Sequence, residues 1–397
     1  MSAHGRFWPP STRAGRVLLA PVAASAIALI VGAVLDPRRA AAAYLTGYVA
    51  VLSTVIGMLL LVMTIELSGG AWFAPLRRKA HAIIGTLPML GLLFIPIVLG
   101  ASALYPWLGS RDTLPSDVRH AVDATWPYLT PGFALSRAVI YWVIWIGLGE
   151  AVRGASVRVE VDADAEATAR MRVLSAAGVI FVGLSSTFAA FDWLMSLAPE
   201  FVSSIFGLYV YAGATVGALA LGAVLLGLDH WPAERGLSGP RSLHALGNLL
   251  LTFVLVWAYF GYSQFLILWI ADIPTEIGWL AIRTRGGWGF LGLLLLIGHF
   301  ALPFLLLLVR RVKESPRSMI AVGAWMLWMH FLDVVWLVGP SGETGLGSLW
   351  LDLASLVFVS GLTTAVALLR PRPDIAPSGV RAGMLAPAGS RARSDAR

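Results

Sequence analysis

The run VLSAAGVIFVGLSSTFAAFDWLM, residues 173–195, decides the class of fold. It carries one charged side chain, Asp192, near its C-terminal end. A run of this length and composition is what a helix needs to cross the roughly 30 Å hydrocarbon core of a bilayer. A carboxylate at the centre of such a helix costs about 2.5–3.5 kcal/mol on insertion scales. Asp192 must therefore have a partner inside the protein or lie at the water interface.

The composition of the whole chain extends this interpretation. The chain has 397 residues, of which 58% are hydrophobic and 13% are charged, whereas a typical soluble domain has about 25% charged residues. Such a chain is predicted to be an all-α polytopic membrane protein. Cysteine is absent, which excludes disulfides, Cys-ligated iron–sulfur clusters and covalently attached haem c within this chain.

Apolar segments of about membrane-spanning length recur along the chain, and ten of them can be delimited. They are Val17–Leu35, Ala43–Glu66, Ala82–Leu104, Pro131–Leu148, Val173–Met195, Phe201–Leu228, Ala245–Ile270, Trp288–Val309, Met319–Val338 and Leu346–Leu369. We therefore expect a ten-helix transmembrane domain over residues 17–369. Residues 1–16 are predicted to be a cytoplasmic N-terminal segment, and the Pro-, Gly- and Arg-rich residues 370–397 a disordered cytoplasmic tail. The first segment is longer than the core of a signal peptide, so we expect it to be retained.

The distribution of Lys and Arg predicts the orientation. With ten spans, 22 of the 29 Lys and Arg residues fall on the side of the two termini, six fall on the opposite side, and Arg137 lies within a span. Positive charge collects on the cytoplasmic side of multi-pass proteins. Both termini are therefore predicted to be cytoplasmic, and the net charge of +7 is explained by topology and gives no support for nucleic acid as a partner.

Ionisable and hydroxyl side chains at membrane depth, or at the ends of spans, are the candidates for a proton path. They are Asp192, Asp333, Arg137, Glu66, Glu150, His299, Tyr259, Tyr262 and Ser263. The predicted topology places the first three in the outer half of the membrane and the two glutamates at its inner face. For each aspartate two interpretations stay open: a helix end at the interface, bonded to backbone or to Arg137, or a proton-accepting carboxylate on a water-lined path.

The seventh segment, which contains VWAYFGYSQFLILW, is the most polar of the ten. Helical periodicity places Tyr259, Ser263 and Ile267 on one face and Trp257, Phe260 and Gln264 on another. These groups, together with His299 of the next segment, are typical either of a proton relay or of interhelical hydrogen bonds, which contribute about 0.6 kcal/mol each.

Several runs resemble a known family of membrane subunits. They occur in the order of that family and extend from the second span to the ninth: GGAWFAPLRRKAH, LPMLGLLFIPIVLG followed by LYPW, FDWLMSLAPEFVSSIFGLYVYAG, WAYFGYSQFLILWIADIPTEIGW, GHFALPFLLLLVRRVK and HFLDVVWLVGP. On these runs the chain resembles the F subunits (ActF) of bacterial alternative complex III. These belong to the NrfD-like membrane proteins, which are related to the anchors of polysulfide reductases.

The resemblance implies a fold, an assembly and a location. The fold would be two four-helix bundles, spans 2–5 and spans 6–9, with the first and last helices beside them. The assembly would be a quinol:cytochrome c oxidoreductase of the respiratory chain in the bacterial inner membrane. Its other subunits would be a multihaem cytochrome carrying haem c, a protein with Fe–S clusters, and a homologous NrfD-like subunit that holds the better-supported quinol site.

For this chain the resemblance implies a subunit without a redox centre of its own, with quinol as the one small ligand to consider. Its role would be to support quinol oxidation and to conduct protons through Asp192, Asp333 and Arg137 on the outer side and through Glu66 or Glu150 on the inner side. Two alternatives stay open: a quinone-binding membrane anchor of a polysulfide- or dimethyl-sulfoxide-type reductase, and a secondary transporter, although no internal repeat is evident.

Overall fold

The structure, a computed structural model, describes residues 11–162, 165–229, 239–271, 273–342, 347 and 349–369. In these ranges the regular structure is helical, without strands. The long helices and helical segments are α1 Ser11–Leu35, α2 Pro37–Ser68, α3 Ala74–Leu99, α4 Pro131–Asp162, α5 Ala165–Trp193, α6 Phe206–Gly227, α7 Gly239–Ala271, α8 Gly286–Leu308, α9 Pro316–Val338 and α10 Leu349–Leu369.

Membrane-spanning length and composition are found in nine of these helices, all except α1. In α1 the apolar stretch, Leu19–Leu35, is shorter than in the other nine. The protein is therefore an all-α, multi-pass membrane protein, and the count of ten spans stays a prediction. Residues 1–10 and the predicted tail, 370–397, lie outside the described residues.

The third span differs from its prediction. Helix α3 begins at Ala74, eight residues before the predicted start, and therefore includes Arg77 and Lys79. Both cations are paired inside the protein: Arg77 with Glu66 of α2, and Lys79 with Asp229 after α6 at 2.5 Å. A prediction from hydropathy places the boundary of a span at such charged residues, because hydropathy contains no information about their ion-pair partners. The span is also divided into Ala74–Ile84, Leu87–Leu92 and Ile95–Leu99, and Pro88 and Pro96 stand at the starts of the two later pieces, where a proline is tolerated.

Helices α2 and α6 form the centre of the molecule. The apolar stretch of α2 is 83% buried and that of α6 is 72% buried, whereas those of α4, α5 and α7 are each 33% buried. The two helices approach closely at Gly57, where a Cβ atom would lie 2.2 Å from the carbonyl oxygen of Ala214. Only glycine permits this approach.

The remaining helices pack around this pair. Helix α2 contacts α1, α3, α5, α9 and α10, while α6 contacts α5, α7 and α9. Helix α4 packs against α5 and the middle piece of α3, and α8 packs against α7 and α9. The core is thus built where α2, α6 and α9 meet, and the other helices present much of their apolar surface outward.

Contacts between helix ends define two ends of the molecule. At the upper end, Arg39 at the start of α2 pairs with Asp352 at the start of α10, and Arg137 at the start of α4 pairs with Asp192 at the end of α5. The lower end is the opposite one, where Arg77 and Lys79 form their pairs.

Candidate functional site

A buried carboxylate without a cationic partner marks the candidate site. Asp333 of α9 is 2% exposed and accepts two hydrogen bonds, one from the Tyr209 hydroxyl at 2.5 Å and one from the Trp257 indole N–H at 3.1 Å. The ion pairs of the described residues do not include Asp333. A carboxylate this deep is costly to keep ionised when only neutral groups bond to it, so the geometry suits a group that gains and loses a proton.

Two buried histidines adjoin Asp333. His330 lies one turn before it on α9, on the same face, and its Nε2 lies 2.8 Å from the Ser53 hydroxyl of α2. His299 is fully buried, and its ring centroid lies 4.1 Å from the ring of Trp257, whose N–H bonds to Asp333. Neither ring nitrogen of His299 has a hydrogen-bond partner among the described residues. A buried imidazole with both ring nitrogens unbonded is expected to hydrogen-bond to internal water.

The backbone of two neighbouring helices shapes this cluster. Gly213 and Gly217 of α6 leave space for the α9 side chains: a Cβ at Gly213 would lie 3.5 Å from Asp333 Oδ2, and one at Gly217 would lie 3.0 Å from the His330 ring. His299 lies in a π-helical segment, Leu296–Ala301, within α8. Such bulges in α-helices are frequent at functional sites.

Asp192 belongs to a second, separate group of residues at the upper end. Its carboxylate is 4% exposed and accepts two hydrogen bonds from Arg137, at 2.8 and 2.9 Å, and one from the Tyr141 hydroxyl at 2.8 Å. Arg137 also donates to the carbonyl oxygen of Tyr128 at 2.9 Å, and its guanidinium lies 3.8 Å from the ring of Tyr128. Because a cation holds Asp192 through two bonds, its position fits an interhelical ion pair between α4 and α5.

The two predicted glutamates are both paired with arginine at the lower end. Glu66 is largely buried and pairs with Arg77, which joins α2 to α3. Glu150 of α4 is exposed and pairs with Arg153, one turn later on the same helix, at 2.6 Å. Glu66 therefore lies inside the protein, whereas Glu150 lies on its surface.

The polar and aromatic residues of α7 lie on two faces, as the helical periodicity predicts, and the structure shows which face points inward. Trp257 and Gln264 are buried, and Gln264 accepts a hydrogen bond from the hydroxyl of Ser203 at 2.5 Å. Tyr259 and Tyr262 are 65% and 62% exposed, and Ser263 is half-buried. The structure thus brings His299 together with Trp257 and leaves both tyrosines on the outer surface.

Three polar contacts of the structure are not predicted by the sequence. Tyr209 and Trp257 bond to Asp333, and Arg39, which was assigned to an outer loop, pairs with the buried Asp352. Hydropathy gives no signal for these contacts, because each joins helices far apart in sequence.

A fourth missed contact involves Arg283, between the seventh and eighth spans. It is 2% exposed and donates to the carbonyl oxygens of Trp279 and Leu337, at 3.0 and 2.7 Å. Burial lowers the pKa of Arg283, and the charge of Glu200 opposes this shift. Burial also raises the pKa of Glu200.

Comparison with known proteins adds no family assignment: no protein-family model matches the chain, and no curated protein matches it. Within the described ranges, no group of three or more His, Asp or Glu side chains is placed to hold a metal ion.

Proposed function

We propose that this protein is a proton-conducting subunit of a membrane-bound oxidoreductase, and that Asp333 is the carboxylate that carries the proton. The observation that supports this is the bonding of Asp333 to neutral donors alone, in contrast to Asp192, Glu66 and Asp352, which are all ion-paired with arginine. Proton carriers within membranes are expected to be buried and ionisable, with partners that do not fix one charge state.

A path through the membrane would pass from Asp333 to its neighbours on α2. His330 and Ser53 continue the polar cluster beyond Asp333. From Ser53, α2 runs 13 residues to Glu66, which is about 20 Å at 1.5 Å per residue. A direct transfer over that distance is excluded, so the inner half of the path requires a chain of water molecules.

In this proposal Asp192 and Arg137 fasten the upper ends of α4 and α5 and carry no proton. No hydrogen bond joins their group to the Asp333 group within the described residues. Of the three residues that the sequence predicts for an outward path, the proposal therefore retains Asp333 alone as the carrier.

The assembly is proposed from the sequence resemblance. We assign the chain the role of an F-type subunit of alternative complex III in a bacterial inner membrane, with both termini cytoplasmic and the lower end facing the cytoplasm. Its partners would be a multihaem cytochrome, an Fe–S protein and a homologous membrane subunit where quinol is oxidised. The two-bundle arrangement belongs to this proposal; α2 through α5 contact one another, as do α6 through α9, and α2 packs against α6 between the two groups.

Purification from native membranes through an affinity tag on this chain tests the assembly. We expect a c-type haem spectrum and an Fe–S protein in the purified complex. Recovery of the chain without any redox subunit would contradict this assignment and favour a secondary transporter. Recovery with a molybdenum-dependent reductase would favour the anchor of a polysulfide-type enzyme.

Infrared difference spectroscopy during turnover tests the role of Asp333. We expect a carboxyl protonation signal that disappears in Asp333→Asn and persists in the matched variant Asp352→Asn, which removes a buried carboxylate held by Arg39. A carboxyl signal unchanged in Asp333→Asn would contradict the proposal.

A further inference from the structure

A cleft of about 380 Å³ opens between α2, α6 and α7 in the lower half of the molecule. Its lining extends along α2 from Leu60 to Ser68, which is about 12 Å at 1.5 Å per residue. Thr215 contributes from α6, and Asn248 and Phe253 contribute from α7. We call this feature the α2–α7 cleft. Its lining includes none of Asp333, His330, Tyr209 and Trp257.

The lining of the α2–α7 cleft suits an alkyl chain. Seven of its thirteen lining residues are apolar and six carry a hydroxyl or amide group, and apolar walls with polar groups among them are usual for a ligand pocket of this size. Thr64 and Thr252 line the cleft and are exposed, so the cleft opens sideways. Because α2 and α7 both have the length and composition of membrane-spanning helices, that opening faces the acyl chains of the bilayer.

Positive charge lies at the lower mouth of the cleft. Arg241 is one turn before Ala245 on α7 and shares its face with Ala245, Asn248 and Thr252, three residues of the lining. Arg241 is exposed and forms no ion pair with another residue that the structure describes. The ammonium group of Lys313 donates to Asn248 Oδ1 at 2.6 Å, which places a second cation beside the lining.

We propose that the α2–α7 cleft binds an anionic phospholipid, with one acyl chain between α2 and α7 and the phosphate at Arg241 and Lys313. The cleft supplies apolar contact over part of the length of an acyl chain. Arg241 lies below the lining, where a headgroup would emerge, and the ammonium group of the buried Lys313 lies about two turns further along α7, at Asn248. A zwitterionic lipid would meet the same apolar lining but would gain less from the two cations.

Native mass spectrometry of the purified protein, titrated with phosphatidylglycerol and phosphatidylcholine, tests this site. We expect phosphatidylglycerol to bind at least about fivefold more tightly, the factor that one Lys or Arg contributes beside anionic lipid. Arg241→Ala should remove most of that preference, and Ala245→Phe, which fills the cleft, should weaken the binding of both lipids. Arg241 is exposed, so its replacement leaves the fold intact.

Two matched variants serve as controls. Arg317→Ala removes another exposed cation, at the start of α9, and Ala177→Phe adds the same ring to an exposed position on α5. Neither should change lipid binding. Equal affinities for the two lipids in the unmodified protein, or binding that survives both cleft variants, would overturn the proposal. Displacement of phosphatidylglycerol by an isoprenoid quinone would overturn it in favour of a quinone site.

Discussion

At the scale of single residues, the main distinction is between two buried aspartates that have different bonding partners. Asp192 and Asp333 are 4% and 2% exposed, so burial does not distinguish them. Their bonding does: Arg137 holds Asp192 through two hydrogen bonds, while a tyrosine and a tryptophan hold Asp333. The first arrangement is suited to joining helices and the second to proton exchange.

Asp192→Asn is expected to destabilise the protein by about 3–5 kcal/mol, because it leaves the guanidinium of Arg137 buried without its counter-ion. Thermal or denaturant unfolding of the purified protein in detergent measures this. The matched control is Asp123→Asn, which breaks an exposed pair with Arg111 and should cost less than about 1 kcal/mol. Equal losses in the two variants would contradict the assignment of Asp192 to a buried pair.

Glu200→Gln is expected to flatten the dependence of stability on pH in the acid range. Burial raises the pKa of Glu200 in the folded protein above the unfolded value of 4.5. The folded state therefore binds more protons than the unfolded state across that window, and stability falls as pH rises through it. Melting temperatures of both proteins between pH 4 and pH 7 test this, and an unchanged slope in the variant would argue against it.

At the scale of helices, contacts between helices determine which face of a helix points inward and where a helix begins, and hydropathy does not show these contacts. The sequence separates the two faces of α7 correctly, yet both faces carry aromatic residues, so it cannot show that Trp257 faces inward and Tyr259 outward. The choice depends on contacts with α6, α8 and α9. The start of α3 was misplaced for a similar reason, since the pair between Arg77 and Glu66 exists only in the folded protein.

Gly57→Ala is expected to destabilise the protein strongly, because the new Cβ would lie 2.2 Å from a backbone oxygen of α6 that cannot move aside without displacing the helix. Gly147→Ala on α4 is the control. A Cβ there meets no atom within 4 Å, so the change should leave stability unaltered or raise it by about 0.5–1 kcal/mol. Unfolding temperatures of the two variants decide this, and similar values would refute the close approach of α2 and α6.

At the scale of the whole molecule, composition was enough to predict the class of protein. A chain with this apolar content cannot bury its apolar surface in a water-soluble fold. The lengths of its helices follow from the thickness of the bilayer. The candidate residues were partly predictable: Asp192, Asp333 and His299 stand out as polar groups in apolar runs. Arg137 could be named from the sequence as a possible partner of Asp192, and the structure shows that pair. Tyr209 and Trp257 could not be predicted as partners of Asp333, because they reach it from other helices.

The same limit applies to the separation of the two aspartates into different groups. Sequence places both near the outer ends of their spans and suggests one shared path. Only the packing of α5 against α4 and of α9 against α6 puts them in different surroundings. The central claim is therefore that Asp333, without a cationic partner, is the residue that moves protons.

Proton release per electron during quinol oxidation by the proposed complex, purified and reconstituted in proteoliposomes, tests that claim most directly. For Asp333→Asn we expect assembly and thermal stability close to those of the unmodified complex, with a lower ratio of protons to electrons. Asp123→Asn, on the exposed surface, should leave the ratio unchanged. A ratio in Asp333→Asn equal to that of the unmodified complex would contradict the account.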